Sequence, residues 1–325
     1  MYELVIVGAG PIGIFASFYA GMRDINTVTL ESSDHHGGQL TDIYPEKPIY
    51  DIPGIKEIKA KDLVKQLYNQ YLPYKDKVEI KYNQDIKSCE VKDDYFVLNV
   101  NDEVIETKTI LLTSGNGNFN PRRLEVDGVK ECKNIFYKLE SLQKYKDQNI
   151  VVLGGGDSAL DWANMLTNVA NTVTIIHRRN EFRAHESSLE LFKKQNNTKI
   201  LTPMDVNYVR KEDDQTVIHL TNKESKEELD IKANSIFVSY GMLPSKNIFS
   251  SIVDVDMLGI KVASNMESSI NGIYAAGNAA NYLGKVKTLA SGFGDVVNAI
   301  TAIHQQLYPT KNPTFFSSLT KKIEK

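Results

Sequence analysis

Leu4-Val5-Ile6-Val7-Gly8-Ala9-Gly10-Pro11-Ile12-Gly13 opens the chain, and Ile150-Val151-Val152-Leu153-Gly154-Gly155-Gly156-Asp157-Ser158-Ala159 repeats its plan near the middle. Each begins as a short β-rich apolar run, breaks on glycines and passes into a helical stretch. Each then reaches a second β-rich run, Thr27-Val28-Thr29-Leu30-Glu31 in the first case and Thr172-Val173-Thr174-Ile175-Ile176-His177 in the second. Strand, glycine turn, helix, strand is the order of a dinucleotide-binding unit. The first glycine permits the tight turn, and the second lets a pyrophosphate approach the backbone. The third position, Gly13 or Ala159, must be small so that helix and strand pack closely. The start of the helix then offers free N–H groups and the positive end of a dipole to the phosphates. A lone glycine turn would be an ordinary bend. Two in full context predict an α/β chain with two Rossmann-like, three-layer ββα dinucleotide-binding domains.

The two copies differ at one informative place. Glu31 lies 23 residues after Gly8, and the same offset from Gly154 lands on His177, followed by Arg178 and Arg179, with Arg183 a helical turn further on. A carboxylate at the end of the second strand accepts hydrogen bonds from ribose and repels a 2′-phosphate. Guanidinium groups attract that phosphate with paired donors. A solvated charge cluster is the plainer account of His177-Arg178-Arg179, but the offset favours a phosphate site. Unit one, with Gly8, Gly10, Pro11, Gly13 and Glu31, should therefore hold an adenine dinucleotide lacking the 2′-phosphate. Unit two, with Gly154, Gly156, Asp157, Ser158, Ala159, His177, Arg178, Arg179 and Arg183, should hold NADP. Two different dinucleotides in one chain suggest electron transfer, with a cofactor such as FAD taking hydride from NADPH.

Composition supports an ordinary globular chain. It has 325 residues, 42% hydrophobic and 24% charged, with a formal charge of −3. That length predicts about two domains, and the balanced charge leaves no electrostatic footprint for nucleic acid. No apolar run approaches the roughly 20 residues of a membrane helix. The two cysteines, Cys89 and Cys132, form no C-x-x-C pair. With no visible export signal ahead of Leu4, they suit a reducing cytoplasm. His35-His36, followed by two glycines, reads as a loop, and no metal site is expected.

Helical spacing over 60–72 and 288–307 and β-rich runs at 78–80, 95–100, 109–113 and 206–238 fill in the rest. Breaks at 114–121 and 240–245 divide the chain. The NADP domain (119–241) is expected to sit inside an FAD domain made of 1–118 and 242–325. The tail, 309–325, reads either as a frayed end or as a cover for an aromatic ring, since Phe315-Phe316 precedes two serines.

With both units in place, the chain resembles the thioredoxin reductase-like (type 2) ferredoxin/flavodoxin–NADP reductases over nearly its whole length. Beside the glycine turns, the resemblance rests on Gly37-Gly38-Gln39-Leu40, Tyr44-Pro45-Glu46-Lys47, Gly115-Asn116-Gly117-Asn118-Phe119-Asn120-Pro121-Arg122, Gly156-Asp157-Ser158-Ala159-Leu160-Asp161-Trp162-Ala163, His177-Arg178-Arg179, Phe182-Arg183-Ala184-His185-Glu186 and Ala290-Ser291-Gly292-Phe293-Gly294-Asp295. It implies FAD contacts at Glu31, Gln39, Tyr44, Ile86 (backbone), Phe119, Asn278 and Ser317. It also implies that Tyr44 stacks on one flavin face and Phe315 covers the other, from the partner subunit of a homodimer. Two positions depart from the pattern: Asn278 stands where the family usually has Asp, and Phe315 where relatives often have His. Relatives that reduce thioredoxin carry C-x-x-C where this chain has Tyr137-Lys138-Leu139-Glu140, and bacillithiol-disulfide reductase-like relatives carry Cys where it has Ile12. Disulfide exchange needs a thiolate, so the implied path runs from NADPH through the flavin directly to ferredoxin or flavodoxin. No catalytic side chain is required, because the flavin does the chemistry. A reductase of ferric chelates, quinones or oxygen, and a non-catalytic NADPH-sensing flavoprotein, are the alternatives. Arg122-Arg123, Lys285, Lys287 and Lys321-Lys322 are candidate docking cations, each equally readable as plain surface charge.

Overall fold

The apolar runs quoted above become the central strands of two parallel sheets. The computed structural model describes residues 1–115, 117, 121–243 and 248–310. The calls on Phe119, Phe315 and Ser317, and on Lys321-Lys322, lie outside these residues. The α-helices are α1 (Pro11–Met22), α2 (Gln39–Asp42), α3 (Ala60–Tyr71), α4 (Asp157–Leu166), α5 (Glu186–Lys193) and α6 (Leu289–Leu307).

In the first unit, strand Tyr2–Val7 lies parallel between Thr27–Leu30 and Glu103–Leu112, and Thr27–Leu30 pairs onward with Val78–Lys81. All four residues of Thr27–Leu30 are buried, as expected of a parallel strand covered on both faces. Glu103–Leu112 pairs with three strands of one seven-stranded sheet. Its first half is antiparallel to Phe96–Val100, which pairs in turn with Ile86–Val91. Its second half runs parallel to Tyr2–Val7 on one side and to Ile273–Ala275 on the other. The last strand comes from far along the chain, so the intervening unit is inserted into the first.

Helix α1 is apolar around most of its circumference because it is sandwiched. Ile12, Ile14, Phe18 and Ala20 pack with Leu63, Val64 and Leu67 of α3 and with Val296, Ala299 and Ile300 of α6. On the other face of the sheet Leu98, Val100 and Ile110 pack with Phe249, Val253 and Ile260.

The second unit repeats the arrangement. Its sheet runs Thr198–Leu201, Thr172–Ile176, Asn149–Leu153, Ser235–Val238, Ile135–Phe136, all parallel. Leu160, Trp162, Ala163 and Leu166 of α4 and Phe192 of α5 cover one face. An antiparallel three-stranded sheet, Met204–Glu212, Gln215–Asn222 and Glu228–Ala233, covers the other through Val209, Ile218 and Leu220. The chain enters and leaves this unit side by side. Pro121 and Met242 form an antiparallel bridge, and Arg122 N–H donates to the Gly241 carbonyl at 3.0 Å.

Candidate functional site: two nucleotide cradles

In the first cradle, α1 starts directly on the glycine turn. A Cβ on Gly13 would lie 1.8 Å from the Gly8 carbonyl oxygen, so only glycine lets the helix sit this close to the strand. A Cβ on Gly10 would meet nothing within 4 Å, so this side of the turn is open. Pro11 occupies the first turn, and neither a side-chain cap nor an acidic residue blocks the helix start. Glu31 is buried, and its carboxylate closes the turn: Oε2 accepts Ala9 N–H at 2.6 Å and Oε1 accepts Ser33 N–H at 2.8 Å. Ser32 Oγ–H also donates to Oε1 at 3.2 Å, and since a carboxylate has about four acceptor sites, about one remains for a ribose hydroxyl.

Gly37 N–H donates to the Ala9 carbonyl at 2.8 Å, which brings Gly38 and Gln39, the first residue of α2, to the same turn. Gln84 N–H donates to the Glu31 carbonyl at 2.8 Å and sets the strand beginning at Ile86 beside it. From the far end of the chain, the Gly277–Ala279 turn carrying Asn278 packs on Ile12, 3.0 Å from where a Gly277 Cβ would be. The residues present therefore fit an extended dinucleotide. Next to Tyr44 a cavity of about 350 Å³ is lined mainly by apolar groups, among them Leu40, Ile49, Tyr50 and Leu289.

Behind Asn278 lies a group that sequence reasoning missed. Asp295 accepts Gly277 N–H at 2.9 Å and the Tyr282 hydroxyl at 2.8 Å, and it is ion-paired with Lys285. The Lys285 side chain is 1% exposed. The expectation of Lys285 as a docking cation is corrected: its ammonium is spent inside the protein. Lys287 has a partner too, donating to the Leu258 carbonyl at 2.6 Å.

The second cradle is built alike. Gly154 sits against the Ser239 carbonyl, Ala159 is fully buried beneath the turn, and Gly156 faces open space. Asp157 at the start of α4 accepts His185 N–H at 3.0 Å, and Arg183 N–H donates to the Gly155 carbonyl at 2.8 Å, which folds the following loop over the turn. The His177 ring lies on Gly155, whose Cβ would be 2.6 Å from it. Burial, joined by the nearby arginine charges, holds His177 below the usual imidazole range, so it is neutral at pH 7. Arg178, Arg179 and Arg183 are exposed around this rim, and no ion pair occupies them among the described residues.

The cradles also touch. The Tyr44 hydroxyl lies 3.1 Å from Ser158 Oγ, Lys47 Nζ lies 2.6 Å from Asp161 Oδ2, and Trp162 Nε1–H donates to the Ile43 carbonyl at 3.0 Å. No cluster of three or more metal-ligating side chains occurs among the described residues, and none of their helices is long and apolar enough to cross a membrane.

Two glycine turns, one ending at a buried carboxylate and the other at exposed arginines, on units of which one is inserted into the other, are the arrangement of a two-dinucleotide oxidoreductase. The chain belongs to the pyridine nucleotide-disulphide oxidoreductase family, whose model matches residues 2–303, and within it to the thioredoxin reductase-like ferredoxin–NADP reductases. It is 41% identical over 319 residues to the ferredoxin–NADP reductase of Acholeplasma laidlawii, covering 97% of each chain. It is 40% identical over 317 residues to that of Halalkalibacterium halodurans, covering 95% of this chain and 94% of the relative. Among solved structures, Lactococcus lactis thioredoxin reductase in its FR conformation superposes with a TM-score of 0.76 at 25% identity, over 95% of this chain and 100% of that one.

Proposed function

We propose that this chain moves electrons between NADPH and ferredoxin or flavodoxin, using FAD in the first cradle and NADP(H) in the second. The carrying observation is the contrast between the cradles: a buried carboxylate at Glu31 against three exposed guanidinium groups around His177. FAD held in the first cradle would supply hydride acceptance and one-electron release, for a balance in which NADPH and two oxidised ferredoxins give NADP+, two reduced ferredoxins and a proton.

The protein's own part is binding and orientation. Arg178, Arg179 and Arg183 attract the 2′-phosphate, while the N–H groups at the start of α4 take the pyrophosphate. Glu31 offers its remaining acceptor site to ribose, and Gly10 with the start of α1 takes the phosphates of FAD. Gln39 and Asn278 would face the stretch from those phosphates toward the cavity beside Tyr44, where the flavin ring would sit, and Ile86 would serve the ribose end beside Glu31. Neither cysteine serves as a relay. The Cys89 thiol is pushed up to about 11 by burial, and Cys132 is buried. Coverage of the second flavin face by Phe315, a contact at Ser317 and one at Phe119, a homodimer and a cytoplasmic setting belong to the same reading and rest on the family resemblance.

The test is side-by-side turnover with ferredoxin, flavodoxin, ferric chelates and quinones. Ferredoxin or flavodoxin should outpace oxygen and the small acceptors. If no carrier protein does so, the chain is a general flavin reductase. If NADPH leaves the flavin absorbance unchanged, the redox reading fails altogether.

A further inference from the structure

The two segments most specific to the family resemblance, 44–47 in the first unit and 156–163 in the second, lie against each other. Ser158, Asp161 and Trp162 are spaced three and four residues apart on α4, so they share the face that meets this stretch. Ile43, a first-unit residue, is 5% exposed and packs into the second unit's core beside Leu160 and Trp162. Lys47 stands over the Tyr44 ring at 5.2 Å while its ammonium reaches Asp161. Among the described residues the Lys47 ammonium and the Asp161 carboxylate form ion pairs only with each other, so the bond serves the junction. The backbone connection offers little constraint, since the inserted unit is attached through the paired crossings at Pro121 and Met242.

We propose that Lys47 and Asp161 are positioning residues for hydride delivery: their ion pair seats the NADP cradle against the Tyr44 side of the flavin cradle. The inference rests on the electron-transfer reading above. Three features support it. The pair joins the stretch carrying the proposed flavin-facing ring to the helix whose first turn takes the nicotinamide nucleotide. Its side chains are 45% and 24% exposed, so water and salt weaken it and the seat can be left as well as occupied. The Tyr44–Ser158 contact depends on the same alignment of α4, one turn toward its start.

The chain's one tryptophan reports the seat directly, because Trp162 is covered by Ile43 and bonded to its carbonyl. The experiment uses full-length FAD-loaded protein as wild type, Lys47→Ala, Asp161→Asn and the charge-exchanged double variant K47D/D161K. Each single variant should bleach its flavin about fivefold more slowly in a single turnover with NADPH, with the NADPH Kd changed less than about twofold. Bleaching by dithionite should be unaltered. Trp162 emission should move to longer wavelength in the single variants as the indole gains water. The exchanged double variant should recover most of both properties, and added salt should slow the wild type toward the single variants. Wild-type bleaching and emission in both single variants, or a double variant no better than they are, would overturn the proposal. Failure of NADPH to bleach the wild-type flavin would instead refute the electron-transfer reading, and the emission and its recovery in the double variant would still decide whether the pair seats the unit.

Discussion

Lys285 and Asp295 form an ion pair inside the first unit, with side chains 1% and 2% exposed. Asp295 is otherwise satisfied by Gly277 N–H and the Tyr282 hydroxyl, so the whole charge of the pair is enclosed beneath the turn that carries Asn278. Removing one partner of such a pair strands the other charge and costs about 3–5 kcal/mol. Lys285→Met should therefore lower the thermal midpoint sharply and weaken FAD retention, and adding Asp295→Asn should restore part of both. Thermal unfolding followed by flavin release checks this, and wild-type stability in Lys285→Met would show that the ammonium has another outlet.

Gly10 and Gly13 should separate binding from folding. Gly10 has an ordinary φ of −64° and open space where a Cβ would go. Gly10→Ala should leave the flavin-free protein within about 0.5 kcal/mol of wild type while reducing FAD affinity. Gly13→Ala would press a methyl into the Gly8 backbone and should cost about 1–3 kcal/mol in folding as well. Equilibrium denaturation of the flavin-free proteins alongside FAD titration distinguishes the two. Equal stability losses would show that Gly10 is structural.

Replacement of Arg178 and Arg179 together by Ala should raise the KM for NADPH about tenfold or more, through loss of charge-assisted bonds to the 2′-phosphate. The KM for NADH should change less than about twofold. Steady-state kinetics with both coenzymes decides this, and equal effects would place the arginines elsewhere in binding.

Burial raises the Cys89 thiol to about 11. At pH 7.5 only about one molecule in several thousand then carries the thiolate that reacts. Alkylation of Cys89 should be slow at neutral pH and rise about tenfold per pH unit until near 11. Reaction already saturating near pH 9 would contradict the burial of this thiol. Cys89→Ser should leave NADPH oxidation with ferredoxin unchanged.

Local features of the fold were legible, and distant meetings were not. The helices over 60–71 and 289–307 followed from apolar spacing, and both cradles followed from glycines acting on their own backbone. The strand Glu103–Leu112 was visible only from Thr109 onward. Its first half alternates exposed and buried residues as part of an antiparallel ribbon, while its second half is buried throughout. The ribbon of Pro48–Ile49 with Ile58–Lys59 is too short to leave a pattern. Lys285 looked like any surface lysine, because its partner lies on a helix face that no local rule connects to it. The junction of Tyr44 and Lys47 with Ser158 and Asp161 spans 114 positions in each case, and only the packing of one unit on the other creates it. Arg178, Arg179 and Arg183 are exposed near the second glycine turn, and their part in holding NADP is a proposal.

The bridge between Pro121 and Met242 means that the inserted unit begins and ends on neighbouring backbone positions, about 5 Å apart in an antiparallel pair. A gap that narrow closes with a few residues and little entropy. The unit thus behaves as a cassette: a copy of the first cradle can be gained, lost or exchanged at this point without stretching the host sheet. What travels less easily is the fit between cassette and host, because Ile43, Tyr44 and Lys47 must meet a helix that carries their complements.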